Sequence, residues 1–214
     1  MFEGTQDMVW DQFTSGRYRV MRELLSQVTM PDMTILDLGA GRDAISSQIK
    51  CRSHVLLDIV ATTAPSVVCN FSHGLPLCDD SVDVVVAGEI LEHMTESRRF
   101  LQEIRRVLRS GGWLVLSVPN IASLKYRLAF LTGRIPALAA RADYTYEPDN
   151  PAYPRGHVRD YSFAEMRRVL ADYGFRVVAE RSNGMHINGR RIIPPWLMPV
   201  TFSDTVIVKA ILQK

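Results

Sequence analysis

At 214 residues, 47% hydrophobic and 22% charged, the chain is long enough to bury a large core and needs no metal or disulfide to hold it together. Its 25 basic and 23 acidic residues nearly balance, which gives no electrostatic ground for a nucleic-acid partner. Three cysteines (Cys51, Cys69 and Cys78) with no CxxC pair argue against a disulfide framework or a zinc site and point to reduced thiols in a cytoplasmic protein.

The start of the chain carries Glu3, Asp7 and Asp11, which is wrong for a signal peptide, and no apolar run is long enough to span a bilayer. An N-terminal helix is expected over about Gly16–Val28. Short apolar runs follow at Thr34–Leu38, His54–Asp58, Val82–Ala87 and Trp113–Val118, with a weaker one at Ser66–Cys69. They are nearly continuous in apolar residues, as strands covered on both faces by helices are. A helix is expected from about Arg42, directly after the glycines of the first turn. Another is expected over Arg98–Arg109, with Phe100, Leu101, Ile104, Val107 and Leu108 on its core face and Ser110-Gly111-Gly112 as its stop. The arginines Arg98, Arg99, Arg105, Arg106 and Arg109 read as its solvated face.

Ile121–Gly156 breaks the rhythm. It is apolar with spaced arginines at first, then rich in tyrosine and proline, and reads as an insertion that covers a substrate. Ser162 and Glu165 form a capping box for a helix to Tyr173, ended by Gly174. Phe175–Glu180 and Thr205–Leu212 read as a final antiparallel pair joined by a loop containing Gly184, Gly189, Pro194 and Pro195. The sum is one α/β domain over residues 1–214, Rossmann-like and doubly wound, with a mostly parallel seven-stranded sheet and an antiparallel last strand.

The chemistry concentrates at Ile35-Leu36-Asp37-Leu38-Gly39-Ala40-Gly41. A strand, a glycine turn and a following helix let a ligand approach the backbone closely. Gly39, Gly41 and Ala44 also fit the dinucleotide fingerprint, but Asp37 would repel a pyrophosphate and suits a ligand with a cationic amino group. Asp58, at the end of the second strand, is placed to accept hydrogen bonds from ribose hydroxyls.

The strings LDLGAGRD, NFSHGLPLCDDSVDVVVAGEILEH and LQEIRRVLRSGGWLVLSVPN, with GHVRDYSFAEMRRVLADYGFRVV later, resemble the class I S-adenosylmethionine-dependent methyltransferases. They are most similar to the broad group that includes the quinone-biosynthesis enzymes. The resemblance covers about Ile35 to Val178. It implies S-adenosylmethionine as cofactor. Asp37, Gly39 and Gly41, with Ala40 beside them, would hold its methionine portion. Asp58, with Ile59 next to it, would bind the ribose, and Asn70 and Phe71 the adenine. Gly88 and Glu89 would line the pocket near the sulfonium.

His157 and His93 are the candidate catalytic residues at the acceptor, with Tyr144, Tyr146 and Tyr153 as further candidates, and no metal is expected. The acceptor is read as a small molecule, with O-methylation of a sugar, quinone-like or lipid-linked compound leading. The insertion, with Trp10 and Tyr18, is the expected cover, and peripheral contact of the insertion with a membrane stays open beside it. Two departures stand out: Asp43 replaces the third glycine of the turn, and Asn70 the usual adenine aspartate. They keep alive a second reading, a methyltransferase fold serving as a binding or scaffold protein. A nicotinamide-dependent oxidoreductase is the third.

Overall fold

The computed structural model describes residues 16–41, 43–60, 67–135, 157–187 and 190–214. A helix over residues 16–26 (α1) leads to β1 (Thr34–Leu38), β2 (Ser53–Asp58), β3 (Val67–Val68) and β4 (Val82–Gly88). Then come α2 (Ser97–Val107), β5 (Leu108–Pro119), α3 (Leu124–Leu131), α4 (Phe163–Asp172) and β6 (Phe175–Arg181). A hairpin, β7 (Met185–Ile187) and β8 (Arg190–Ile193), precedes β9 (Thr205–Leu212).

The sheet has seven strands in the order β3-β2-β1-β4-β5-β9-β6, all parallel except β9, which runs antiparallel between β5 and β6. Alternation along each strand divides the core between two faces. Leu36, Leu38, Val85 and Leu116 pack with Phe100, Leu101 and Ile104 of α2 and Met166 and Leu170 of α4. Ile35, Val84, Val86 and Ile207 pack with Met21, Leu24 and Leu25 of α1. The continuous apolar character of the strands follows from this double cover.

Three expectations need correction. The helix expected from Arg42 is a single 3-10 turn, Ile45–Gln48, in the 14 residues between Leu38 and Ser53, and Ile49 after it is already extended. α1 covers that face instead, with Ile45 and Ile49 beneath it. The second helix ends at Val107, not Arg109: Leu108 is already extended and pairs with Val82. Gly111 does adopt a left-handed conformation (φ +74°), but as a bend inside β5 rather than as a helix cap. Finally, the loop between the last two strands of the sheet contains the β7–β8 hairpin and two 3-10 turns, Pro195–Leu197 and Val200–Phe202.

The capping box is present: the Glu165 N–H donates to Ser162 Oγ at 3.2 Å, and α4 begins at the next residue after Ser162. Of the insertion, α3 and its flanks to Ile135 are described, whereas residues 136–156 lie outside the described residues. So do Trp10, Tyr144, Tyr146 and Tyr153. No helix among the described residues is long and apolar enough to cross a membrane.

Candidate functional site

The carboxyl ends of β1, β2 and β4 open onto one cleft of about 230 Å³. Its walls are Gly39, Gly41, Asp58, Ile59, Asn70, Phe71, Gly88, Glu89, Ile90, His93 and Met94. Eight of the ten residues expected at the cofactor therefore stand together, joined by His93. The other two, Asp37 and Ala40, are buried behind the turn and do not line the cleft.

Each wall has a local cause. The N–H groups of Gly39 and Ala40 both donate to the Leu57 carbonyl, at 2.8 and 3.2 Å, which ties the turn to the end of β2. Gly39 sits at φ +71°, and a Cβ there would overlap the Ile90 side chain. Gly41, at φ +56°, has only the Gly39 carbonyl near the place a Cβ would occupy, so its backbone faces open space. A ligand can approach there as it could not approach a larger residue.

Asp58 accepts the Gly41 N–H through one oxygen at 2.8 Å and the Val60 N–H through the other at 3.0 Å. A carboxylate has about four acceptor sites, so two remain for the vicinal hydroxyls of a ribose. Asp37 instead braces the fold: its carboxylate accepts the Ser46 N–H at 2.8 Å. Burial raises its pKa from 3.8 to about 6, against the opposing effects of the Ser46 bonds and the Arg22 charge.

Asn70 and Phe71 form the far wall, held from below by α2. The Phe71 and Phe100 rings lie 6.1 Å apart. Arg106 donates to the Leu75 and Leu77 carbonyls and pairs with Glu103 and Asp79, fixing the loop that follows. Arg106 is thus a brace for this loop, beyond the solvated face read from the sequence. Asp43 is exposed and is not among the lining residues, so its side chain leaves the cleft open.

The opposite side carries Glu89, Glu92, His93 and His157. Glu89 adopts a left-handed backbone (φ +57°), a strained state that costs about 1–3 kcal/mol and persists where the surroundings impose it. Here its N–H donates to the Ser117 carbonyl at 2.9 Å, and its carboxylate pairs with Arg17 of α1 at 3.3 Å. Glu92 follows in the 3-10 turn Leu91–His93, buried, with neither carboxylate oxygen hydrogen-bonded. Burial, and then the nearby Glu89 charge, push its pKa well above the usual carboxylate range.

The His93 ring meets the His157 ring edge to face, 5.1 Å between centroids. The Glu92 carbonyl accepts the Val158 N–H at 2.9 Å, which docks the His157 segment here. The ligating atoms of Glu92, His93 and His157 all lie within 4.8 Å of one another, close enough to surround a cation. Tyr126 of α3 is buried nearby; its phenol pKa is raised by burial and by the charges of Asp204, Asp160 and Glu89.

Arg17, Ile90, Met94 and Tyr126 were not singled out from the sequence. Ile90 and Met94 flank the Glu-His pair in the same run and were open to notice. Arg17 and Tyr126 reach the site only through the fold.

Residues 36–116 match the family model described as a methyltransferase domain. Over 185 residues the chain is 31% identical to a Mycobacterium tuberculosis protein named "Probable S-adenosylmethionine-dependent methyltransferase"; this covers 81% of the chain and 59% of that protein. The chain therefore spans about three-fifths of the length of that relative. It is 28% identical to the mitochondrial ubiquinone biosynthesis O-methyltransferase of Mus musculus, over 51% of the chain and 31% of that enzyme. The fold is that of the Burkholderia thailandensis 1,6-didemethyltoxoflavin-N1-methyltransferase (TM-score 0.60, 15% identity, 98% of this chain and 87% of that one). With the glycine turn, Asp58 at the end of β2 and the sheet order all in place, the chain has the fold of the class I S-adenosylmethionine-dependent methyltransferases and matches a methyltransferase domain over residues 36–116.

Proposed function

We propose that the protein methylates a hydroxyl group of a small amphipathic acceptor, with a sugar, quinone-like or lipid-linked compound as the substrate class. The observation that carries this reading is the His93–His157 pair, which places two imidazoles beside the cleft wall that Glu89 completes. A hydroxyl is a poor nucleophile until a base takes its proton, and a histidine is suited to do so near neutral pH. The likeness to a ubiquinone O-methyltransferase supports an oxygen acceptor.

Bound in the cleft, S-adenosylmethionine supplies a methyl group on a cationic sulfonium. The residues present fit it. The backbone of Gly39 and Gly41 gives room for the amino-acid portion, with Asp37 bracing the turn from behind. Asp58, with Ile59 beside it, takes the ribose. Asn70 accepts from the adenine amino group through its side-chain oxygen, and Phe71 offers its N–H to the ring. Gly88 and Glu89 border the reacting end. Alignment of the two reactants is the protein's main task and is worth roughly 7–11 kcal/mol of the barrier.

Calorimetric titration with S-adenosylmethionine tests the cofactor assignment. Micromolar binding that is lost in Asp58→Ala supports it; no binding to the unaltered protein moves the reading to a scaffold. Methyl transfer to a panel of quinols and sugar hydroxyls tests the acceptor. His157→Ala should lower kcat by about 10²–10⁴-fold with the cofactor Kd unchanged. An unchanged kcat removes His157 from the mechanism.

A further inference from the structure

α3 and the β7–β8 hairpin share an anomaly. Of the eight residues of α3 only Tyr126 is buried, although the helix is mostly apolar. Leu131 is 83% exposed and Ile135, just beyond, 70%. On the second element, Trp196 is 78% and Leu197 69% exposed, in the turn that follows the hairpin. Helices this apolar and unburied face something other than water.

The two elements are neighbours. Lys125 pairs with Asp204 at 2.9 Å, Asp204 accepts the His186 N–H at 2.6 Å, and Arg127 lies over the Phe202 ring at 4.8 Å. Both stand at one edge of the sheet. α3 follows the carboxyl end of β5, and the hairpin follows the carboxyl end of β6, which runs parallel to β5 because both oppose β9. The cofactor cleft opens at that same edge.

Charge separates the candidates for the occupant. Residues 120–135 and 181–203 contain six of the 25 basic residues and none of the 23 acidic ones, so the rest of the chain is net negative. Arg134, Arg190 and Arg191 are exposed and enter no ion pair among the described residues. Aliphatic side chains, a tryptophan and arginines with no interspersed acid match the boundary between acyl chains and anionic headgroups.

We propose that this face docks the protein on an anionic bilayer, with the cleft at the docked edge, so that an amphipathic acceptor enters from the lipid. The inference rests on the proposed acceptor class only for what is delivered. The docking itself is read without cofactor or acceptor, so either idea can fail alone.

The test is co-sedimentation of the full chain with vesicles of phosphatidylcholine containing phosphatidylglycerol, and with phosphatidylcholine alone. The protein should pellet with the first and stay in solution with the second. Arg190→Ala/Arg191→Ala should weaken the binding about thirtyfold. Leu131→Glu/Trp196→Glu should abolish it while the melting temperature and the S-adenosylmethionine titration stay unchanged. A protein that ignores anionic vesicles, or a double variant that still pellets, overturns the proposal. Self-association in sedimentation velocity that the same double variant abolishes, without vesicle binding, assigns the face to a second copy and also overturns it.

Discussion

Asp37 lies at the centre of the motif, yet it faces the protein interior and holds the Ser46 N–H. Its pKa of about 6 has a consequence for stability. In the unfolded chain it ionises near 3.8, so between those values the folded state keeps a proton that the unfolded state has lost. Stability from this group is therefore greatest in acid and falls as pH rises from about 4 to 6. Above that range the buried charge costs about 3 kcal/mol. Asp37→Asn keeps the acceptor for Ser46 and removes the charge. It should raise the melting temperature by several degrees at pH of about 8 and by much less at about 4, which thermal scans at the two values would show. An equal gain at both values would mean that ionisation is not the cause. Glu92 shifts in the same direction and adds to the same slope.

At the scale of elements, the helices that local signals define are the ones read correctly from the sequence. α4 starts where Ser162 can accept from Glu165, and it ends where Gly174 turns the chain. Ser162→Ala should lower stability by about 1 kcal/mol, a fall of about 2–4 °C in a chain of this size, and Ser162→Asp should restore most of it. A change below one degree would mean that the cap bond contributes nothing.

The glycine turn predicts a helix after it, whereas the structure has a single 3-10 turn there, closed off by Ile49 in an extended conformation. Likewise Ser110-Gly111-Gly112 looks like a helix stop. A Cβ on Gly112 would press on the Arg109 and Asp83 carbonyls, so the glycine serves the close passage of β5 beside β4. Such contacts between distant segments carry no mark in the local sequence. The lining of the cleft was legible because its residues follow strand ends in order. The Arg17–Glu89 pair and the place of Tyr126 were not, since each joins residues far apart in the chain.

The whole molecule depends on β9. It fills the gap between β5 and β6 and is the partner of β6 in the sheet. Deletion of residues 205–214 would leave both strands with open edges and remove Val206, Val208 and Ala210 from one core and Ile207 from the other. The shortened chain should show no cooperative thermal transition, and calorimetry would check this. A sharp transition in it would mean that the first five strands fold as a unit.

This same placement bears on how the protein comes to exist in the cell. Trp113 pairs with Ile211 and Pro119 with Thr205, partners separated by nearly half the chain. At about 5–20 residues per second, a ribosome needs on the order of ten seconds to make what lies between them. Throughout that interval β5 emerges with one edge unpaired and rich in valine and leucine, the kind of surface that invites a stray strand from another nascent chain. The protein is thus exposed to aggregation while it is being synthesised, and a holdase that shields β5 until Leu212 emerges should raise its soluble yield.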